Sequence, residues 1–194
     1  MQDFWFYIKL GLDHVLDISA YDHILFLSAL AIPFTFKHWK KVLLLATVFT
    51  IAHCFSLILS VYEIVVMDVS LIEFLIPVTI FLTAIFNIIY LKTLLNHRNI
   101  SLHILATTFF GLIHGFGFSN YFKMLISGEE QKFLPLLGFA TGIEISQVII
   151  VLLMLVLAFV LQSVLKVKYR LFVWIGSLIV LLITLPLLYQ TLPF

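Results

Sequence analysis

From Val42 to Val61 the chain runs without an aspartate, glutamate, lysine or arginine, and it does so again from Leu102 to Ser119 and from Leu171 to Gln190. A helix rising 1.5 Å per residue needs about 20 apolar residues to cross a hydrocarbon core of about 30 Å. Three further stretches, about 20–36, 71–91 and 133–161, carry one acid each: Asp22, Glu73 and Glu144. Only 11% of all residues are charged and 63% are hydrophobic, whereas a soluble domain carries about 25% charged residues. The expected fold is therefore all-α, a polytopic membrane bundle of six transmembrane helices. Residues about 3–16 mix Asp3, Lys9, Asp13 and His14 with aromatics and read as an N-terminal interfacial or re-entrant helix. Without Gly/Ser linkers, residues 1–194 are expected to form one integral membrane domain.

The net charge of +1 leaves no basic stripe to neutralise phosphates, which excludes nucleic acid as a partner. Cys54 is the single cysteine, so no intramolecular disulfide forms. Met1 to Trp5 lacks a basic leader region, and no removable signal peptide is expected there. The loops after the first, third and fifth spans hold Lys37, Lys40, Lys41, Lys92, Arg98, Lys166, Lys168 and Arg170, against Lys9, Lys123 and Lys132 on the other side. The positive-inside rule puts the first set in the cytoplasm, with both termini outside, as in a bacterial inner-membrane protein.

This orientation assigns heights. His53 stands about 11 residues up its span, roughly 17 Å, and Glu144 about 11 residues down its own, roughly 16 Å. His114 stands at a similar height, in Phe110-Gly111-Leu112-Ile113-His114-Gly115-Phe116-Gly117-Phe118, and Asp22, His23 and Glu73 begin descending spans. Intramembrane ionisable groups are costly and face protein or a wet cavity. Their common height between midplane and outer surface points to one polar site. A buried imidazole needs a partner for each nitrogen, which a metal and a carboxylate supply.

The candidate metal ligands are Asp22, His23, His53, His114 and Glu144, with His14, Glu73, Gln147 and Ser56 in support. For each of them a plain packing or hydrogen-bonding role stands beside the functional one. Gly111, Gly115, Gly138 and Gly142 read as helix-packing positions that let backbones approach closely. His38, His97 and His103 lie in or beside cytoplasmic loops and read as structural. Imidazole and carboxylate together suit zinc, nickel, cobalt, iron or manganese, and the lack of thiolates disfavours copper(I).

Tyr21-Asp22-His23-Ile24-Leu25-Phe26-Leu27, Phe49-Thr50-Ile51-Ala52-His53-Cys54-Phe55-Ser56-Leu57, the Phe110–Phe118 block and Gly138-Phe139-Ala140-Thr141-Gly142-Ile143-Glu144-Ile145-Ser146-Gln147 follow one another in order. Together they resemble the HupE/UreJ-type hydrogenase and urease accessory membrane proteins, in particular their second, widespread branch. The resemblance implies nickel uptake or supply and favours Asp22, His23, His53, His114 and Glu144, with His14 and Glu73 at family-like positions. One departure concerns nickel: the nickel-associated pattern has a histidine closer to the Asp-His pair, whereas His14 stands well ahead of Asp22 here.

Three functions compete. The first is transport or handling of a divalent transition metal, zinc or nickel, with Asn87, Lys92 and His103 as the hints of an inner path. The second is an intramembrane zinc-dependent hydrolase with Glu144 or Asp22 as general base. The third is a structural or assembly subunit. Expected partners are the bilayer, a metal ion, and either a second copy of the chain or a membrane complex.

Overall fold

The computed structural model describes residues 4–91 and 100–193. Lys92, His97 and Arg98, counted above among the basic and histidine-bearing loop residues, lie outside them. Seven α-helices make up the described residues, with no strand among them: α1 (Phe4–Leu16), α2 (Asp22–Ala31), α3 (Trp39–Val61), α4 (Val69–Ile89), α5 (Ser101–Leu125), α6 (Phe133–Phe159) and α7 (Tyr169–Gln190). A 3-10 turn, Phe36–His38, leads into α3, and a π-helical turn, Val160–Val164, prolongs α6. Five helices, α3 to α7, are long and apolar enough to cross a membrane. The chain is thus an integral membrane helix bundle.

The largest departure from expectation falls on the first span. In place of a helix over about 20–36, α2 has 10 residues and ends where Pro33 approaches. Proline has no N–H, so it cannot close the turn onto the carbonyl four residues earlier. That carbonyl belongs to Ala29, and Asn87 of α4 supplies the missing donor from its side-chain amide at 2.7 Å. The Pro33 carbonyl, also left outside the helix, accepts from the Tyr169 hydroxyl at 2.7 Å. Ile32, Pro33 and Phe34 are buried. Non-helical backbone is tolerated at membrane depth when it is enclosed and satisfied in this way.

α5 runs to Leu125, beyond the expected end near 119. Asn120 and Lys123 stop the apolar run, but they alternate with Tyr121, Phe122 and Met124, and polarity by itself does not end a helix. The start of α4 is set by Asp68, whose carboxylate accepts from the Leu71 N–H at 2.9 Å, an N-cap bond.

Two close pairings build the bundle. In the first, α5 lies against α3. A Cβ on Gly115 would run into the Ser56 hydroxyl and the His53 carbonyl, and one on Gly111 would come within 2.8 Å of the Ala52 side chain and the Phe49 carbonyl. In the second, α1 lies against α6. A Cβ on Gly142 would strike the Ile8 carbonyl, one on Gly11 the Phe139 carbonyl, and one on Gly138 would stand 2.8 Å from Tyr7 Cβ. Small residues at such crossings bring backbones within van der Waals reach. Contacts along α6 also order the N-terminal segment: Phe4 and Tyr7 meet Gly138, Ile8 and Gly11 meet Gly142, and Phe36 meets Phe159 with ring centroids 6.3 Å apart. The chain from Phe4 to Phe36 accompanies α6 in its own direction, interrupted between α1 and α2.

Candidate metal centre

Four helices deliver imidazoles to one place. His14 comes from the last turn of α1 and His23 from the first turn of α2. His53 comes from α3 and His114 from α5, both on the faces that the Gly115 contact presses together. The ring centroids of His14 and His23 stand 4.6 Å apart, those of His23 and His114 5.1 Å, those of His23 and His53 5.7 Å and those of His14 and His53 5.8 Å. His23, His53 and His114 are buried and His14 is half-buried.

Two overlapping ligand groups result. His14, His23 and His53 each offer a nitrogen within 4.8 Å of the others, and Asp22, His23 and His114 do the same with a carboxylate oxygen included. His23 belongs to both. Donors about 2.05 Å from a tetrahedral zinc ion stand about 3.3 Å apart, so either group closes around an ion by drawing its donors inward by up to about 1.5 Å.

Hydrogen bonds settle which nitrogens are free. The Asp22 carboxylate accepts from His23 Nδ1 at 3.2 Å, which leaves Nε2 bare. The Thr79 hydroxyl donates to the Ile76 carbonyl at 2.7 Å, and its oxygen lies 3.4 Å from His114 Nε2. With its own hydrogen committed, that oxygen accepts the Nε2 proton and leaves Nδ1 bare. Such outer partners fix the tautomer of a metal-binding histidine. His14 Nε2, His23 Nε2, His114 Nδ1 and both nitrogens of His53 are buried without a hydrogen-bond partner among the described residues. Groups of this kind cost about 1–3 kcal/mol each when unanswered. Five of them total about 5–15 kcal/mol, the size of a whole domain's stability. The donor set fits a borderline transition metal.

The cluster floors an open cavity of about 440 Å³ that His14, Asp22, His23 and His114 line, with the exposed Asp13 and Asp17 also in its wall. His53 does not line it and lies behind.

Glu144 sits elsewhere. Its carboxylate accepts from the Thr47 hydroxyl at 2.6 Å and from the Thr50 hydroxyl at 2.5 Å. The Gln147 carbonyl oxygen stands 3.3 Å from the same Thr50 oxygen. Glu144 belongs to neither ligand group. Glu73 is exposed on α4 and also stands outside both groups. Ser56 donates to the His53 backbone carbonyl at 2.9 Å rather than to its ring. Sequence reasoning missed Thr79 and Gly11. Thr79 leaves no mark in spacing, whereas Gly11 stands three residues before His14 and repeats the Gly111–His114 spacing.

Five apolar spans and a largely buried group of four histidines and an aspartate define an integral membrane protein with a concentration of borderline ligands shared by α1, α2, α3 and α5. The chain belongs to the HupE/UreJ family: a family model described as HupE / UreJ protein matches residues 1–191, nearly its whole length. Neither a curated protein nor a solved structure matches it.

Proposed function

We propose that this protein transports or hands on a divalent transition-metal ion of the nickel type, taken from the outer face of a bacterial inner membrane. The observation that carries this reading is the interruption of the first crossing between α1 and α2, with His14 on one side of it and Asp22-His23 on the other. Broken helices with ligands at the break are how many transporters build a substrate site at mid-depth. The two helix ends at the break differ in sign, and Asp22 offsets the positive one. The C-terminal end of α1 turns partial negative charge toward the break, and Asp22 is stabilised at the positive end of α2. With α1 and α2 counted as one broken crossing, six crossings put both termini outside and Lys37, Lys40, Lys41, Lys166 and Lys168 in the cytoplasm, in keeping with the positive-inside rule.

In this reading Asp13 and Asp17 draw a cation into the cavity. Asp22, His23 and His114 receive it, and His23, common to both groups, passes it to His14 and His53. The ligands are Asp22, His14, His23, His53 and His114, and Glu144 supports α3 against α6. The family's association with nickel supply supports the metal class, and the nitrogen and carboxylate donors suit nickel and zinc alike.

The hydrolase reading needs a carboxylate beside an open ligand position. Asp22 meets that condition better than Glu144, which two threonines already occupy. Metal analysis of the purified protein together with uptake into proteoliposomes decides between the two. Exchangeable nickel or zinc with uptake that His114→Ala abolishes is the expected result. One tightly held zinc per chain with no uptake would overturn transport in favour of hydrolysis or a structural role.

A further inference from the structure

A second cavity, of about 180 Å³, lies between α2, α4 and α5 on the far side of Phe110 from the histidine cluster. The surface it presents is almost all carbon, from Leu30, Leu82, Phe86, Leu102, Ala106 and Phe110. The polar residues of its wall, Thr83, Asn87, His103 and Thr107, turn their polar atoms elsewhere. Thr83 donates to the Thr79 carbonyl at 2.8 Å and the Asn87 amide to Ala29. The ring nitrogens of His103 and the Thr107 hydroxyl are buried away from the open space. A space lined this way offers water no set of polar partners, and it calls for an apolar occupant.

We propose that the cavity is a binding site for a phospholipid acyl chain, entered sideways from the bilayer between α4 and α5, with an anionic headgroup held at the end of the bundle that bears Lys41. The inference goes beyond the metal-handling reading and does not depend on it.

The position of the cavity names the occupant. Leu82 of α4 and Leu102 of α5 line it and are 51% and 54% exposed. Both helices are long and apolar enough to cross a membrane, so the surface on which these leucines open is hydrocarbon. Leu102 and Phe110 stand about 12 Å apart along α5, and Leu82 to Asn87 belong to the last two turns of α4. The cavity therefore runs from one end of the bundle inward to Phe110, as an acyl chain runs from its headgroup toward the midplane. Left open, its walls would forfeit their dispersion contacts, and a chain that fills it restores them.

The same end of the bundle is basic. The His103 ring lies 5.6 Å from that of Phe34, and the Phe34 ring 6.4 Å from that of His38. His38 closes the 3-10 turn that leads into α3. Lys37 and Lys40 beside it are exposed and Lys41 is half-buried. Basic residues next to a membrane-spanning helix attract anionic headgroups. In the orientation proposed above this is the cytoplasmic leaflet, the one whose surface is negative.

Native mass spectrometry of the purified full-length protein tests the proposal, with dioleoylphosphatidylglycerol and dioleoylphosphatidylcholine titrated separately. One phosphatidylglycerol per chain should outlast the lipids stripped from the rest of the surface, held about fivefold more tightly than phosphatidylcholine. Ala106→Trp fills the cavity and should abolish this retention. Lys41→Gln should erase the preference between the two lipids. Retention undiminished in Ala106→Trp, or no lipid that outlasts the others, overturns the site. Equal affinity of the wild-type chain for both lipids overturns the headgroup assignment. If Ala106→Trp fails to fold, Leu82→Trp reports from the mouth of the cavity. After subtraction of the native tryptophans, phosphatidylglycerol brominated on its acyl chains should quench it at a lower lipid fraction than it quenches Leu178→Trp, at a 48% exposed position on α7. Coincident quenching curves overturn the proposal.

Discussion

Helix α3 carries two polar centres barely a turn apart, and they are built on opposite terms. At Thr47 and Thr50 the partners are all oxygen and largely answered: Glu144 accepts a hydroxyl on each carboxylate oxygen. At His53 the partners are mostly nitrogen and unanswered, with bare imidazoles from four helices. A buried polar cluster that satisfies itself holds helices together, whereas one that leaves several groups open is shaped for something that arrives. On the function proposed above, the first serves architecture and the second metal handling, although both stand at nearly the same height.

Four substitutions press on that contrast, in falling order of expected effect. His23 is shared by both ligand groups, so His23→Ala should abolish stoichiometric metal binding, read by mass spectrometry of the purified protein; retention of a full equivalent would break the contrast at its strong end. Gly115→Ala places a methyl against Ser56 and the His53 carbonyl and should cost about 1–3 kcal/mol, seen as a lower melting temperature together with weaker metal binding. Thr79→Val removes the group that fixes the His114 tautomer and should lower metal affinity by roughly tenfold, toward the small end for outer-partner losses, with little change in melting. Glu144→Gln should leave metal stoichiometry untouched and cost about 1 kcal/mol in stability. If it strips the metal instead, the two centres are one site.

Height along a span is legible from spacing and orientation, and it brought His53, His114 and Asp22-His23 to a common level. Azimuth is not legible in the same way. Glu144 shares that level, yet α6 turns it toward Thr47 and Thr50, and no count of residues distinguishes that face from the one toward His53. His14 shows the converse. On α1, a helix too polar to look embedded, it reads as a supporting group until the Gly11–Gly142 contact seats α1 deep against α6. The early end of α2 depends on Pro33 and on a donor from Asn87, 58 positions away, a long-range pairing that local pattern cannot reveal. Span existence for α3 to α7 follows from composition alone, because lipid permits so few other solutions.

The brevity of α2 has a consequence for how the molecule is made. Ten residues beginning with an aspartate and a histidine form too short and too polar a segment to partition into lipid unaided. The carbonyls of Ala29 and of Pro33 just beyond it find their donors on α4 and α7, and Asp22 and His23 lie beside His114 of α5, all on helices that leave the ribosome later. The part of the chain synthesised first is therefore among the last to settle, and the ligands at its start come together only when the rest of the bundle exists to receive them. A chain truncated before α5 would carry His14, His23 and His53 and lack the His114 against which Asp22 and His23 are set.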